Sequence, residues 1–476
     1  MNEMTHPAAG PLYRQIYERV RGSIAEGRLQ PGDRLPSARG YAQELGVARG
    51  TVDLAYAILA GEGYVETNGR AGTRVASGIV PIMHPRETVP PPTANAPSAA
   101  QQHGLMPLAP GVPAFDLFPR KLWAQLVRRH ARALSRADLT YPDPQGSQPL
   151  REAIAAYLAV SRGVTCATDE IMITGGFQAS LALVARALLP PGGSAWVEDP
   201  GYTRIRRALI ELGARPIYVP VDEEGLDVAA GIVRAPDARL AVVAPAHQFP
   251  MGVTLSLARR LQLLDWAERA QAWILEDDFD GEFRYQGRPQ PALKSLDRSG
   301  RVFYTGTFSK TLFPGLRLGY LVVPRSEIER FLAVMRYLDG GRSSLEQAVT
   351  AEFLSEGHFA RHIKKMRGAY RSRRAAMATA LADRFGTAAR IEQGAGGLHL
   401  MLRVKGDLGA LDYRPWTNGP AMGAVPMHVL TDRPEMQDGL LVGFANVPER
   451  QAAAMAEQLF AVVEAALQAG SAVKSL

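Results

Sequence analysis

Leu12, Ile16, Val20 and Ile24 recur every fourth residue, with charged and polar residues between them. That period lines up one apolar stripe and predicts an amphipathic helix. In the text that follows, "QPGDRLPSARGYAQELGV", Pro31-Gly32 is a turn, Pro36-Ser37 stands where a second helix opens, and Gly46 breaks it. A third helix starts in "ARGTVDLAYAILAGEGY". Val52, Tyr56 and Leu59 mark its buried side, and Arg49, Gly50 and Asp53 face outward. Then "YVETNGRAGTRVA" alternates in short runs around Asn68-Gly69, a hairpin signal. Helix, helix-turn-helix and hairpin in this order make a winged helix-turn-helix over residues 1–76.

The pattern then changes. Residues 77–105 are dominated by proline and alanine and carry no apolar period, which predicts an extended linker. From residue 106 to 476, apolar strand-like runs alternate with long helical patterns; "LAVVAPA" (240–246), "AWILEDD" (272–278) and "VFYTGTF" (302–308) are examples. Alternation of this kind predicts an α/β domain with a mainly parallel sheet.

Composition narrows the setting. The chain has 476 residues, too many for one core, so two or three domains are expected. It is 46% hydrophobic and 21% charged, an ordinary globular balance. No apolar run approaches the roughly 20 residues that span a bilayer, and no secretion signal is visible at the start. A single cysteine, Cys166, excludes a disulfide framework and predicts a reducing, cytoplasmic setting, with Cys166 as inert packing. No metal site is expected. The net charge of +7 suits a nucleic-acid partner. Residues 1–76 carry nine arginines against eight acids, net +1, so DNA contact there must come from placed arginines.

The chemistry-bearing stretch is "GTFSKTLFPGLRLGY" (306–320). Lys310 has no acid near it in sequence, small and hydroxyl residues before it, a Pro-Gly turn after it, and Arg317 seven positions on. A lysine amine can attack an aldehyde and form an imine that exchanges with other amines. In "IMITGGFQASLALVARALL" a short apolar run meets Gly175-Gly176 and a helix begins, which leaves backbone N–H groups free to bind phosphate. In "ILEDDFDGEFRY" an apolar strand ends in acids, where open α/β sheets place ligand chemistry.

Residues 10–76 resemble the DNA-binding domain of GntR-type transcriptional regulators, through "GDRLPSAR", "LGVARGTV", "AYAILAGEGYV" and "GTRV". The resemblance implies that Arg39 on the second helix and Arg49 and Thr51 on the third face double-stranded DNA, with Arg34 a further candidate. Arg70 and Gly72 in the wing would approach the minor groove. Ala48 departs from the family, which usually has a capping serine there.

From about Pro107 onward the chain resembles fold type I pyridoxal-phosphate enzymes of the aminotransferase class. "TFSKTLFPGLRLGY", "VEDPGYTRIRRAL", "LTYPDPQGSQPLREAIAAYL", "LAPGVPAFDLFPRKLW" and "GAGGLHLML" carry the likeness. It implies that Lys310 holds pyridoxal 5'-phosphate as a Schiff base and that Asp277 pairs with its ring nitrogen. Tyr202 would stack on the ring, and His247 or Gln248 would hydrogen-bond near the ring hydroxyl. Gly175, Gly176, Phe177, Thr307 and Arg317 would bind the phosphate, joined by Tyr141 from the partner subunit. Arg204 is a candidate for a ligand's acidic group.

The two halves together resemble the MocR/GabR subfamily of bacterial regulators, to which "HQFPMGVTLSLARRL" and "EDDFDGEFRYQGRP" also point. That likeness implies a head-to-tail, domain-swapped homodimer. Its DNA binding would respond to an amine or amino-acid-like effector that displaces Lys310 from the cofactor. Two departures speak against efficient transamination: Phe279 replaces a frequent tyrosine, and Leu441 stands where aminotransferases keep the arginine that grips a substrate carboxylate. Arg433 is the possible substitute. The alternatives are a regulator that senses pyridoxal phosphate itself to control vitamin B6 synthesis, and an active aminotransferase that also binds DNA.

Overall fold

The structure is a computed structural model and describes residues 11–67, 72–78, 106–287, 290–338, 340–404, 408 and 422–473. The chain divides into two compact units, Met1–Ala96 and Pro97–Leu476. Most of the Pro/Ala-rich stretch, the Asn68-Gly69 turn and Arg70 lie outside the described residues.

In the first unit, α1 (Leu12–Ala25) buries Ile16, Val20 and Ile24. Leu12, the first member of the stripe, is 48% exposed at the first residue of the helix. α2 (Ala38–Leu45) is capped by Ser37, whose hydroxyl accepts from the Gly40 N–H at 3.1 Å, and it ends at left-handed Gly46. α3 (Arg49–Gly61) starts at Ala48 with no side-chain cap and buries Val52, Tyr56 and Leu59. β1 (Val65–Thr67) and β2 (Thr73–Val75) pair antiparallel to form the wing, and Arg34 adds a backbone bridge to Arg74.

In the second unit, α4 (Arg120–Ala133) and α5 (Gln148–Arg162) precede the main sheet. Its strands are β3 (Ile171–Thr174), β4 (Ser194–Asp199), β5 (Arg215–Asp222), β6 (Gly225–Leu226), β7 (Leu240–Val243), β8 (Trp273–Asp278), β9 (Val302–Thr307) and β10 (Gly319–Val322). Across the sheet they run β3-β10-β9-β8-β7-β4-β5-β6. β9, β8, β7, β4 and β5 are parallel, while β10 is antiparallel to both its neighbours and β6 to β5. The expected mainly parallel sheet is therefore present. β3, β7 and β10 are buried at every position, as strands covered on both faces must be.

Helices α6 (Phe177–Leu188), α7 (Thr203–Glu211), α8 (Val228–Arg234) and α9 (Leu257–Arg269) connect these strands. α10 (Ile328–Leu338), α11 (Ser344–Ser355) and α12 (His358–Phe385) follow. A smaller antiparallel sheet orders β11 (Ala389–Glu392), β12 (His399–Val404), β14 (Leu440–Gly443) and β13 (Val425–Pro426), and α13 (Ala452–Val473) closes the chain. The core on one face of the main sheet joins Phe303 of β9 to Phe331 of α10, stacked at 4.9 Å. On another, Trp196 of β4 stacks on Trp266 of α9 at 3.8 Å. Each such burial contributes about 1.5–3 kcal/mol before conformational entropy is counted. These cores hold the strand ends still, and the carboxyl ends of β4, β7, β8 and β9 carry Tyr202, His247, Asp277 and Lys310.

Candidate functional site

On the first unit, Arg39 and Arg49 are exposed near the starts of α2 and α3, and Thr51 is half-buried. Arg49 lies 3.3 Å from Asp53, one turn on. Arg34 rests its guanidinium on Gly72, where a Cβ would come 3.2 Å from Nε. Gly72 has φ +85°, so the wing needs glycine there for conformation as well as for space.

On the second unit, Lys310 follows β9 and its Nζ donates to the Gly111 carbonyl at 2.8 Å. Burial pushes its pKa down, opposed by Asp280 and Asp277 and reinforced by Arg204. Desolvation thus favours the neutral, nucleophilic amine. Asp277, the next-to-last residue of β8, has a buried Oδ1 with no hydrogen-bond partner. Burial, with Asp278, Asp280 and Glu198 adding repulsion, raises its pKa well above the carboxylate range.

An orphaned carboxylate of this kind needs a cationic donor opposite it. Its neighbours are otherwise paired. Asp278 is held by Arg162 and by the Tyr304 hydroxyl at 2.6 Å. Asp280 faces His247, whose Nδ1 lies 3.0 and 3.1 Å from its two oxygens. Asp280 thereby accepts from Nδ1 and fixes the plane of the His247 ring, leaving Nε2 as its other polar atom.

Rings line the same region. Phe249 meets Tyr202 at 5.8 Å, His399 at 5.5 Å and Phe279 at 6.4 Å, and His247 meets His399 at 5.5 Å. His399, at the start of β12, donates from Nε2 to the Pro250 carbonyl at 3.1 Å. Burial first, and His247 next, push its pKa down to about 3, so it is neutral. Nothing in the local sequence around "GGLH" flagged His399, because its partners lie about 150 residues away on the other sheet. Glu198 carries no local signal either: burial raises it to about 8, and among the described residues the Ala244 N–H and the Gln248 amide, both at 3.3 Å, reach it.

The glycine turn forms as expected from the residues. Gly176, at φ +97°, precedes α6 without a side-chain cap, and a Cβ on it would sit 3.8 Å from the Thr307 hydroxyl. Gly319 pairs with both Thr174 and Thr307, so only a bare backbone separates the cradle from the end of β9. The Thr307 hydroxyl donates to Ser309 at 3.0 Å and accepts from its N–H at 3.1 Å. Phe177 packs its ring into the core and offers only its backbone N–H to the cradle.

The remaining candidate residues lie as follows. Gln248 donates to the carbonyls of Pro200 and Phe249 at 2.8 and 2.7 Å, bracing its own loop. Arg433 is turned to Glu435 at 2.9 Å and to the Val221 carbonyl. Leu441 is fully buried with Met401, Val425, Met427 and Leu430. Arg317 is exposed in the left-handed conformation, at φ +51°. Tyr141 is 98% exposed. Arg204 is exposed yet close enough to influence Lys310. Cys166 is half-buried and its thiol is pushed up to about 11 by burial, which suits an inert role.

Fold and site define a winged-helix DNA-binding unit joined to an aminotransferase-like domain. Residues 12–75 match the gntR family of bacterial regulatory proteins, and residues 104–406 match aminotransferase class I and II. The probable rhizopine catabolism regulatory protein MocR of Rhizobium meliloti is 36% identical, over 92% of this chain and 90% of that one. The pyridoxine biosynthesis transcriptional regulator PdxR of Corynebacterium glutamicum is 36% identical over 82% of each chain. The solved α-aminoadipate aminotransferase LysN of Thermus thermophilus, complexed with N-(5'-phosphopyridoxyl)-L-leucine, superposes with a TM-score of 0.69 at 26% identity, covering 79% of this chain and 96% of that one. The chain belongs to the MocR-type subfamily of GntR transcriptional regulators. Among the described residues, no helix is long and apolar enough to cross a membrane.

Proposed function

We propose that this regulator binds pyridoxal 5'-phosphate at Lys310 and changes its hold on operator DNA when an amine or amino-acid-like effector takes the place of the lysine. The observation that carries this reading is the pairing of a desolvated amine with a nearby buried carboxylate oxygen that has no partner. The cofactor supplies an aldehyde carbon that joins reversibly to neutral amines, and a ring nitrogen that is basic. Asp277 would face that nitrogen and keep it protonated. Tyr202 would cover the ring, and the N–H groups of Gly175–Phe177 with Thr307 and Arg317 would take the phosphate. His247, oriented by Asp280, would hydrogen-bond beside the ring. Tyr141 would reach the partner subunit's site in a head-to-tail homodimer, which its 98% exposure permits. Arg204 would receive an acidic group on the effector.

A second set of contacts supports signalling. The segment that follows the linker is tied to the smaller sheet: the Gly443 N–H donates to Leu108, the Gly423 N–H to Pro107, both at 2.8 Å, and the Asn446 amide to Met106 at 2.7 Å. Gly111, just beyond, holds the Lys310 amine. Engagement of that amine elsewhere removes a contact from the strap that leads directly, along the chain, to the DNA-binding unit. Effector binding then favours one arrangement of that strap over another, as any ligand-driven shift requires.

A regulator that senses pyridoxal phosphate itself is the second reading, favoured by the 36% identity to PdxR. Turnover is disfavoured by Leu441, which is closed into an apolar cluster, and by Arg433, which is turned to Glu435. The deciding experiment reduces the purified protein with borohydride, locates the adduct by mass, and titrates operator DNA with and without cofactor and amines. Absorbance lost in Lys310→Ala with operator affinity kept supports the reading. A folded Lys310→Ala that still forms the adduct sinks it. A change in operator affinity with cofactor alone selects the second reading.

A further inference from the structure

Two loops carry the residues read above as meeting the cofactor ring. The loop after β4 carries Tyr202, and the loop after β7 carries His247. Gln248, 1% exposed, joins them. Its Nε2 donates to the Pro200 carbonyl at 2.8 Å in the first loop and to the Phe249 carbonyl at 2.7 Å in the second, with a longer contact to Glu198 at 3.3 Å. Its Oε1 accepts the Met251 N–H at 3.1 Å. Its backbone N–H donates to the Val253 carbonyl at 2.9 Å, and its backbone carbonyl accepts the Gly252 N–H at 2.7 Å. The second loop is closed around this one residue, and the same side chain reaches across to the first.

The first loop is fixed on its other side. The Gly201 N–H donates to the Leu430 carbonyl at 3.1 Å, and a Cβ on Gly201 would come 2.1 Å from the Glu198 carbonyl oxygen. Tyr202 follows directly, and its ring meets Phe249 edge-on at 5.8 Å. The carbonyls that share the Gln248 amide thus belong to a residue just before Tyr202 and to one against its ring. An amide has two N–H hydrogens, and both are taken by these carbonyls, so Gln248 keeps no donor for the oxygen on a cofactor ring. Its chemistry is that of a cross-link between loops, made of hydrogen bonds shielded from water.

We infer that Gln248 is a positioning residue, which sets the spacing of the two loops and so holds Tyr202 against the ring of the cofactor bound at Lys310. This rests on the Lys310 reading above. The test titrates full-length wild type, Gln248→Met, Tyr202→Ala and the double variant with pyridoxal 5'-phosphate, and repeats wild type and Gln248→Met with 3-deoxypyridoxal 5'-phosphate, which lacks the ring hydroxyl. Absorbance of the lysine adduct reports binding, and a melting curve without cofactor reports folding. Gln248→Met, close in size but without the amide, is expected to weaken pyridoxal phosphate roughly three- to tenfold. In Tyr202→Ala the same change is expected to cost less than about twofold, because the residue it positions is gone. The loss is expected to be equal for the two cofactors. Gln248→Glu, whose buried acid is neutral and keeps one donor, is expected to fall between, and it carries the test if Gln248→Met does not fold. Unchanged affinity in the folded variant overturns the inference whatever the melting temperature, since Gln248 would then serve the fold alone. An undiminished loss in Tyr202→Ala overturns it, and so does a loss confined to the cofactor with the hydroxyl, which would mark a direct contact. Wild type that forms no adduct sinks the Lys310 reading and this one together, whereas the other adverse outcomes sink this one alone.

Discussion

At the scale of single residues, the second unit concentrates unfavourable electrostatics where the chemistry is expected. Asp277 is buried with an unpartnered oxygen, and that costs stability in the bare protein. Asp277→Asn should therefore leave the melting temperature of the cofactor-free protein unchanged or higher, while weakening pyridoxal phosphate by about 1–3 kcal/mol. A calorimetric scan and a cofactor titration check the two halves. Glu198, raised to about 8, and Glu276, raised to about 7, bring a pH dependence. Both folded-state pKa values lie above the ordinary carboxylate value, so the protonated form is the one the fold tolerates. Their contribution is fully present below the unfolded pKa near 4.5 and is lost as pH rises through 7 to 8. Denaturant midpoints should fall between about pH 5 and pH 8, and Glu198→Gln should flatten that fall; an equally steep fall in the variant would show that other groups set it.

At the scale of elements, the periodicity around residues 12–61 located three helices, since each packs one face on a small local core and the pattern repeats that face. Leu12 departs from the pattern, 48% exposed at the helix's first residue. The missing cap at Ala48 is visible in sequence and structure alike: the residue has the extended backbone of an N-cap but no acceptor. Ala48→Ser should stabilise the DNA-binding unit by about 1 kcal/mol, read as a higher unfolding midpoint for that unit, with no change in cofactor affinity. In the other unit, Phe331 is fully buried and joins α10 to the strand that leads to Lys310. Phe331→Ala should destabilise by about 3–5 kcal/mol in denaturant unfolding.

At the scale of the whole chain, the winged helix and the aminotransferase-like domain fall in separate units of one polypeptide. Arg49→Ala should therefore weaken operator binding and reduce its salt dependence by about one counterion, leaving the visible spectrum intact. If the effector alters operator affinity by some factor, the operator must alter effector affinity by that same factor. Titrating effector with and without operator checks this, and unequal factors would mean that the two binding events are not linked through one equilibrium.

The sequence by itself determined the winged helix, the alternation of strands and helices, and the positions of Lys310, Asp277 and the Gly175-Gly176 turn. These depend on short-range periodicity, on backbone freedom and on the residue types a chemistry demands, all of which are local. Only the tertiary structure decided which side chains meet. It joined His247 to Asp280 and to His399. It also turned Gln248 to the Pro200 carbonyl and Arg433 to the Val221 carbonyl. The physical reason is sequence distance: these contacts join residues brought together by packing of the two sheets and their helices, and the pairing of charges and hydrogen bonds across them is settled by burial, which no local pattern records.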